Sequence, residues 1–218
     1  MFLPHFGAAF AGKAVARRPN LGWLIAACQL PDLLWPVFVL AGWERLALDP
    51  GNTAYTPLDF QHYPWSHSLL MVVVWGLALA ALYYLRARDR RGAVVIGAVV
   101  VSHWVLDWIS HGPDMPLVPW SDARYGLGLW NSVPATLLVE IGVFALAVYA
   151  YLRVTSARDR IGSVGLWTVV VVLLIAMLGA AFGPPPPNVR TVAMSALLIW
   201  LFVPLTAWID RHRTPGNP

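Results

Sequence analysis

Six stretches of about twenty apolar residues constrain this chain more than any other feature. They lie near 21–42, 67–85, 93–111, 133–152, 163–182 and 191–209. Each is close to the length at which an α-helix crosses the ~30 Å hydrocarbon core of a bilayer. Composition agrees, with 58% hydrophobic and 12% charged residues, against about 25% charged in a soluble domain. The predicted fold is all-α: a polytopic membrane helix bundle of about six transmembrane helices plus a short N-terminal helix. Residues 1–218 form a single integral membrane domain. Its first part, 1–132, bears the motifs, and 133–218 reads as a helical scaffold.

Basic residues set the expected topology. Lys13, Arg17 and Arg18, then Arg86, Arg88, Arg90 and Arg91, then Arg153, Arg158 and Arg160, and finally Arg211 and Arg213 all fall on one side of the six spans. The other side keeps only Arg45, Arg124 and Arg190. By the positive-inside rule both termini are predicted cytoplasmic, in a multi-pass protein of the bacterial inner membrane. The formal charge of +4 is therefore a topology signal and does not argue for nucleic acid as a partner. The N-terminus is apolar first and basic after, the reverse of a cleavable signal. Cys28 is the single cysteine, which excludes an intramolecular disulfide and a cysteine-rich metal site.

Ionisable residues inside a span are costly and mark function. His103, Asp107 and His111 follow one another at intervals of four in the third span, so they share one helical face. Two imidazoles and a carboxylate on one stripe suit a metal ion or a proton relay. With His111 at the outer end, Asp107 lies ~6 Å and His103 ~12 Å below it. Glu140 in the fourth span falls ~10 Å below the same surface, and Asp32 in the first is ~15 Å down. Pro31 and Pro36 interrupt that first span and free carbonyls that a cavity can use. His62, His67 and Ser68 sit at the outer start of the second span, with Ser66 the expected N-cap. His5 joins the group if its short apolar stretch rises ~12 Å from the inner surface. Asp114 lies in the second outer loop. One outward-opening cavity could gather all of these groups.

Taken together, the motifs resemble a known family. They are His5 followed by Phe-Gly-Ala-Ala-Phe-Ala-Gly, Pro31-Asp32, His62 to Ser68, Ser102-His103-x3-Asp107, and the Gly/Pro loop from Gly112 to Pro119. In order and spacing they are similar to the YdjM-like inner-membrane metal-dependent hydrolases, also described as LexA-binding, over about residues 1–120. The resemblance implies a metal site more firmly than a substrate. It carries over His5, Asp32, His62, His67, His103 and Asp107; His111 has no clear counterpart. The chain departs from the family in having Tyr63-Pro64-Trp65 where an Arg-Gly stretch is expected.

The expected function is a membrane-embedded metal-dependent hydrolase acting at an outward-facing His/Asp site. Its metal ligands would be His5, Asp32, His67, His103, Asp107 and His111. Asp107 or Glu140 would serve in catalysis, and His62, Ser68 and Asp114 would touch substrate. Mixed imidazole and carboxylate ligands suit one or two Zn²⁺, Mn²⁺ or Fe²⁺ ions. A site at headgroup depth favours a lipid or lipid-linked phosphoester. The oligomeric state is not legible. A type 2 phosphatidic acid phosphatase ranks second: Pro64-Trp-Ser-His67 and His103-x3-Asp107 echo it. However, no Ser-Arg precedes His103, and Lys13-x4-Arg18-Pro19 has the wrong spacing. A cation or proton transporter, and a non-enzymatic scaffold with structural histidines, also remain. No His-Glu-x2-His and no nucleophile elbow occurs.

Overall fold

In the computed structural model, which describes residues 1–216, the chain is a helix bundle with three short two-stranded sheets. The elements run α1 (Leu3–Val15), α2 (Leu21–Cys28), α3 (Leu30–Leu40), β1 (Arg45–Leu48), β2 (Leu58–His62), α4 (Pro64–His67), α5 (Leu69–Ala87) and α6 (Arg90–Ser110). They continue through β3 (Met115–Pro116), β4 (Arg124–Tyr125), α7 (Val133–Val154), β5 (Thr155–Ala157), α8 (Leu166–Phe182), α9 (Val189–Ala196), α10 (Phe202–Arg211) and β6 (Arg213–Pro215). Five helical segments are long and apolar enough to cross a membrane, and α2 with α3 makes a sixth if the bent pair is one span. The six-span reading of the sequence therefore holds.

The bend between α2 and α3 is 53°. Pro31, in the first turn of α3, has no N–H to continue the ladder of α2. The break leaves the Cys28 carbonyl open to a side-chain donor. Elsewhere side chains cap the helices: Asn20 accepts from Trp23 N, Ser68 from Met71 N, Ser132 from Ala135 N and Asn188 from Thr191 N. The fifth and last spans are irregular. A π turn, Ile161–Gly165, precedes α8, and a 3₁₀ stretch, Leu197–Leu201, joins α9 to α10.

Helix α1 sits in the middle of the bundle against α2, α6 and α7, with Leu3, Phe6, Ala9 and Phe10 fully buried. Its far end is tied down by Lys13, whose ammonium donates to Asp210 Oδ2 at 2.7 Å and to the Pro19 carbonyl at 2.9 Å. Tyr151 Oη and Leu21 N donate to the same carboxylate at 2.9 and 3.1 Å. A buried pair of this kind is satisfied on all sides and locks α1, α2, α7 and α10 together. Gly22 permits the α2–α10 crossing, since a Cβ there would lie 2.5 Å from Ala207 Cβ.

The basic clusters gather at this end. Arg17 and Arg18 share a surface recess with Arg91, and His212 bonds Asp159 in the segment before α8. Met1 does not lie with them. It is at the opposite end of α1, buried against Asp107 and Ser110. Of the two placements open for the first apolar stretch, the structure has the one in which it rises into the bundle and carries His5 towards Asp107.

Candidate metal centre

The break at Gln29 and the short turn α4 bring three segments of the chain onto the C-terminal half of α6. Asp107 is the hub. Its Oδ1 faces His5 Nε2 at 2.9 Å and His111 Nε2 at 3.9 Å. Its Oδ2 faces His103 Nε2 at 3.1 Å and His67 Nε2 at 3.8 Å. Asp32 Oδ1 completes the second side, 3.4 Å from His67 Nε2 and 3.9 Å from His103 Nε2. Two groups result, His5 with His103 and Asp107, and Asp32 with His67 and His103, each with ligand atoms within 4.8 Å of one another. The His5 and His103 rings stack at 3.7 Å.

The outward-facing nitrogens decide what the inward-facing ones can do. The Cys28 carbonyl only accepts, so His103 Nδ1 is the donor across their 2.7 Å contact. Ser66 Oγ donates its one proton to Glu44 Oε2 at 2.7 Å. Towards His67 Nδ1, also at 2.7 Å, it can therefore only accept. Asp114 Oδ1 takes His111 Nδ1–H at 3.0 Å and Tyr63 O–H at 2.9 Å. In all three rings Nδ1 carries the hydrogen, and Nε2 presents a lone pair to the carboxylates. Metal-ligating histidines are held in this way, by a bond from the ring nitrogen that does not bind the ion.

The donor set passes a direct test of fit. His103 Nε2 is buried and has no hydrogen-bond partner among the described residues, although Asp107 Oδ2 is close. Two unbonded ligand atoms at this separation, in a cluster with a second carboxylate, are arranged as a divalent cation requires.

Three supporting residues escaped the sequence reading: Glu44, Ser66 and Tyr63. Glu44 accepts from Trp65 N, Ser66 N and Ser66 Oγ at 2.7–2.9 Å. Burial pushes its carboxyl above the usual carboxylate range, against the opposing pull of His67 and these bonds. Burial and the neighbouring Asp114 carboxylate hold the Tyr63 phenol protonated. Only long-range pairing reveals such partners. Tyr63 supplies a partner to Asp114.

Five residues are placed differently from the sequence expectation. Ser66 is no N-cap: it lies inside α4, and Ser68 caps α5 with its hydroxyl. Ser68 is fully buried and does not line the cavity beside the cluster. His62 ends β2, half-buried and outside both groups. Glu140 accepts from Phe2 N and Leu3 N at 3.2 and 3.0 Å, so it caps α1 and does not reach into either group. Asp114 orients His111.

A cavity of about 500 Å³ opens beside the cluster. Asp32, His67, Asp107 and His111 line one part of it, and side chains of α8, α9 and the 3₁₀ stretch line much of the rest, with Phe6, Trp35, Phe60 and Trp130 between. The half of the chain read as scaffold thus forms much of its wall. Lys13 is at the far end of α1, bonded to Asp210, so the cations of a phosphohistidine mechanism are not beside His67 or His103.

The sequence matches the family described as YdjM inner membrane protein over residues 5–184. The chain belongs to that family. The match runs well past the 1–120 that carry the motifs, into the end of α8 and the proline segment behind it. No curated protein and no solved structure matches the chain. Family membership and the apolar helices make it a multi-pass inner-membrane protein.

Proposed function

We propose that this member of the YdjM family is a metal-dependent hydrolase whose His/Asp centre cleaves a lipid or lipid-linked phosphoester on the outer side of a bacterial inner membrane. The orientation follows from the positive-inside rule. The observation that carries the reading is the tying back of His67, His103 and His111 through Nδ1–H, which turns three Nε2 lone pairs onto Asp32 and Asp107.

His103, His67 and Asp32 would hold one ion, and His5 with Asp107 would hold a second. Imidazole with carboxylate favours Zn²⁺, Mn²⁺ or Fe²⁺. A divalent cation there would activate water at neutral pH and polarise a phosphoryl oxygen. His111 stands outside both groups, lines the cavity and is oriented by Asp114. We assign it a proton relay: its Nε2 lone pair takes the proton from the water that adds to phosphorus and returns it to the leaving oxygen as the ester P–O bond breaks. The apolar stretch of α1 below the cluster and the Lys13–Asp210 lock beyond it disfavour an ion pathway through the bundle.

The test is release of phosphate or alcohol from phosphatidic acid by detergent-purified protein. Hydrolysis that is lost on chelation and restored by one of the three ions supports the reading. Absence of hydrolysis in metal-loaded protein, against this and a polyprenyl phosphate, would overturn it.

A further inference from the structure

The cavity beside the cluster is not closed on the membrane side. Val172, Ala176 and Ala180 recur at intervals of four on α8 and all line it, yet all three are exposed. Across from them Ser195 and Leu198 line it and are exposed too, Leu198 at 59%. Helix α8 rests on α1, whereas α9 and the 3₁₀ stretch rest on α3. The gap between the two supports is the opening. Its position coincides with the irregular Leu197–Leu201 stretch, the kind of mid-span 3₁₀ segment that marks a hinge.

We propose that this gap is a lateral portal through which the hydrocarbon tail of a membrane phosphoester enters, so that substrate reaches the centre from the bilayer. The inference rests on the hydrolase reading for the head of the substrate, and on the cavity for its tail. One chamber holds Asp32, His67, Asp107 and His111 at one part and mostly aliphatic and aromatic side chains elsewhere. That combination fits an amphiphile with its polar head at the cluster. A wholly water-soluble phosphoester would leave the apolar wall without a matching part of the substrate. Small side chains at 176 and 180 keep the slot open; a large one at either would fill it.

The probe is hexadecyl phosphate carrying a diazirine at the tail end, added to the full chain in nanodiscs. Photolabelling is expected to concentrate on the 172–180 and 195–199 segments and to fall at least tenfold in Ala176→Trp and in Ser195→Trp. Leu178→Trp, on an exposed face of α8 outside the cavity, should label as wild type. In metal-loaded protein the ratio of hexadecyl phosphate to p-nitrophenyl phosphate hydrolysis should fall at least tenfold in Ala176→Trp. Labelling spread evenly over lipid-facing helices such as α5, or an unchanged ratio, would overturn the portal. Concentrated labelling without hydrolysis of either compound supports the portal and overturns the hydrolase reading, so the two failures are separable.

Discussion

Asp107 shows why single residues carry so much here. A carboxylate inside a span is costly unless paired, and four imidazoles lie within 4 Å of this one. That cost made Asp32, His103 and Asp107 legible in the sequence, where no apolar packing explains them. Glu44 and Ser66 were not legible, because a glutamate and a serine in loops are ordinary until the chain closes 22 residues and brings them together. Ser66→Ala removes the acceptor that fixes the His67 ring. Loss of such an outer partner typically costs 10–100-fold in metal affinity, and equilibrium competition with a chelating dye will read it. His111 separates ligand from acid. His111→Ala is expected to keep the metal content while lowering turnover by about 10²–10⁴-fold, the usual contribution of a positioned acid. Loss of metal in parallel with activity would make it a ligand.

At the scale of the element, the short helix α1 and the break after α2 do the positioning. The sequence announced both, through the Gly/Ala-rich stretch behind His5 and through Pro31. Neither said how α1 is held. Glu140 caps its first turn by accepting two backbone N–H groups. Glu140→Gln keeps one oxygen as acceptor but presents an amide donor to an N–H, and is expected to lower stability by about 1–3 kcal/mol. Metal content should remain. Thermal unfolding beside elemental analysis will separate this from a catalytic role, which predicts normal stability and no turnover. The α2–α10 crossing makes a similar demand. Gly22→Val puts a branched side chain where even a Cβ meets Ala207 at 2.5 Å, and should cost about 1–3 kcal/mol by overpacking. The Ser66 and Ser68 assignment failed at this scale. The segment Pro64-Trp-Ser-His-Ser offers two hydroxyls near a helix start, and local pattern cannot tell a one-turn helix from the long one behind it.

For the whole molecule, apolar length and basic loops gave the span count and the gathering of charge at one end. They could not show that 133–218 walls the cavity, because an apolar helix facing lipid and one facing a chamber have the same composition. The proposed orientation is testable with cysteines. Cys28 is fully buried and should stay silent to a membrane-impermeant maleimide. Asn52→Cys, exposed at the turn between β1 and β2, should label in intact cells, and Arg158→Cys only after lysis; the reverse would invert the topology. Everything functional depends on the cluster holding metal. Elemental analysis of detergent-purified wild type, alongside folded His103→Ala and Asp107→Asn variants, is the most direct measurement. One or two divalent transition ions per chain in wild type, and a drop below about a tenth of that in both variants, is the result expected from the shared ligand roles of His103 and Asp107. Wild-type protein that takes up no ion, or variants that keep the full complement, would contradict the account.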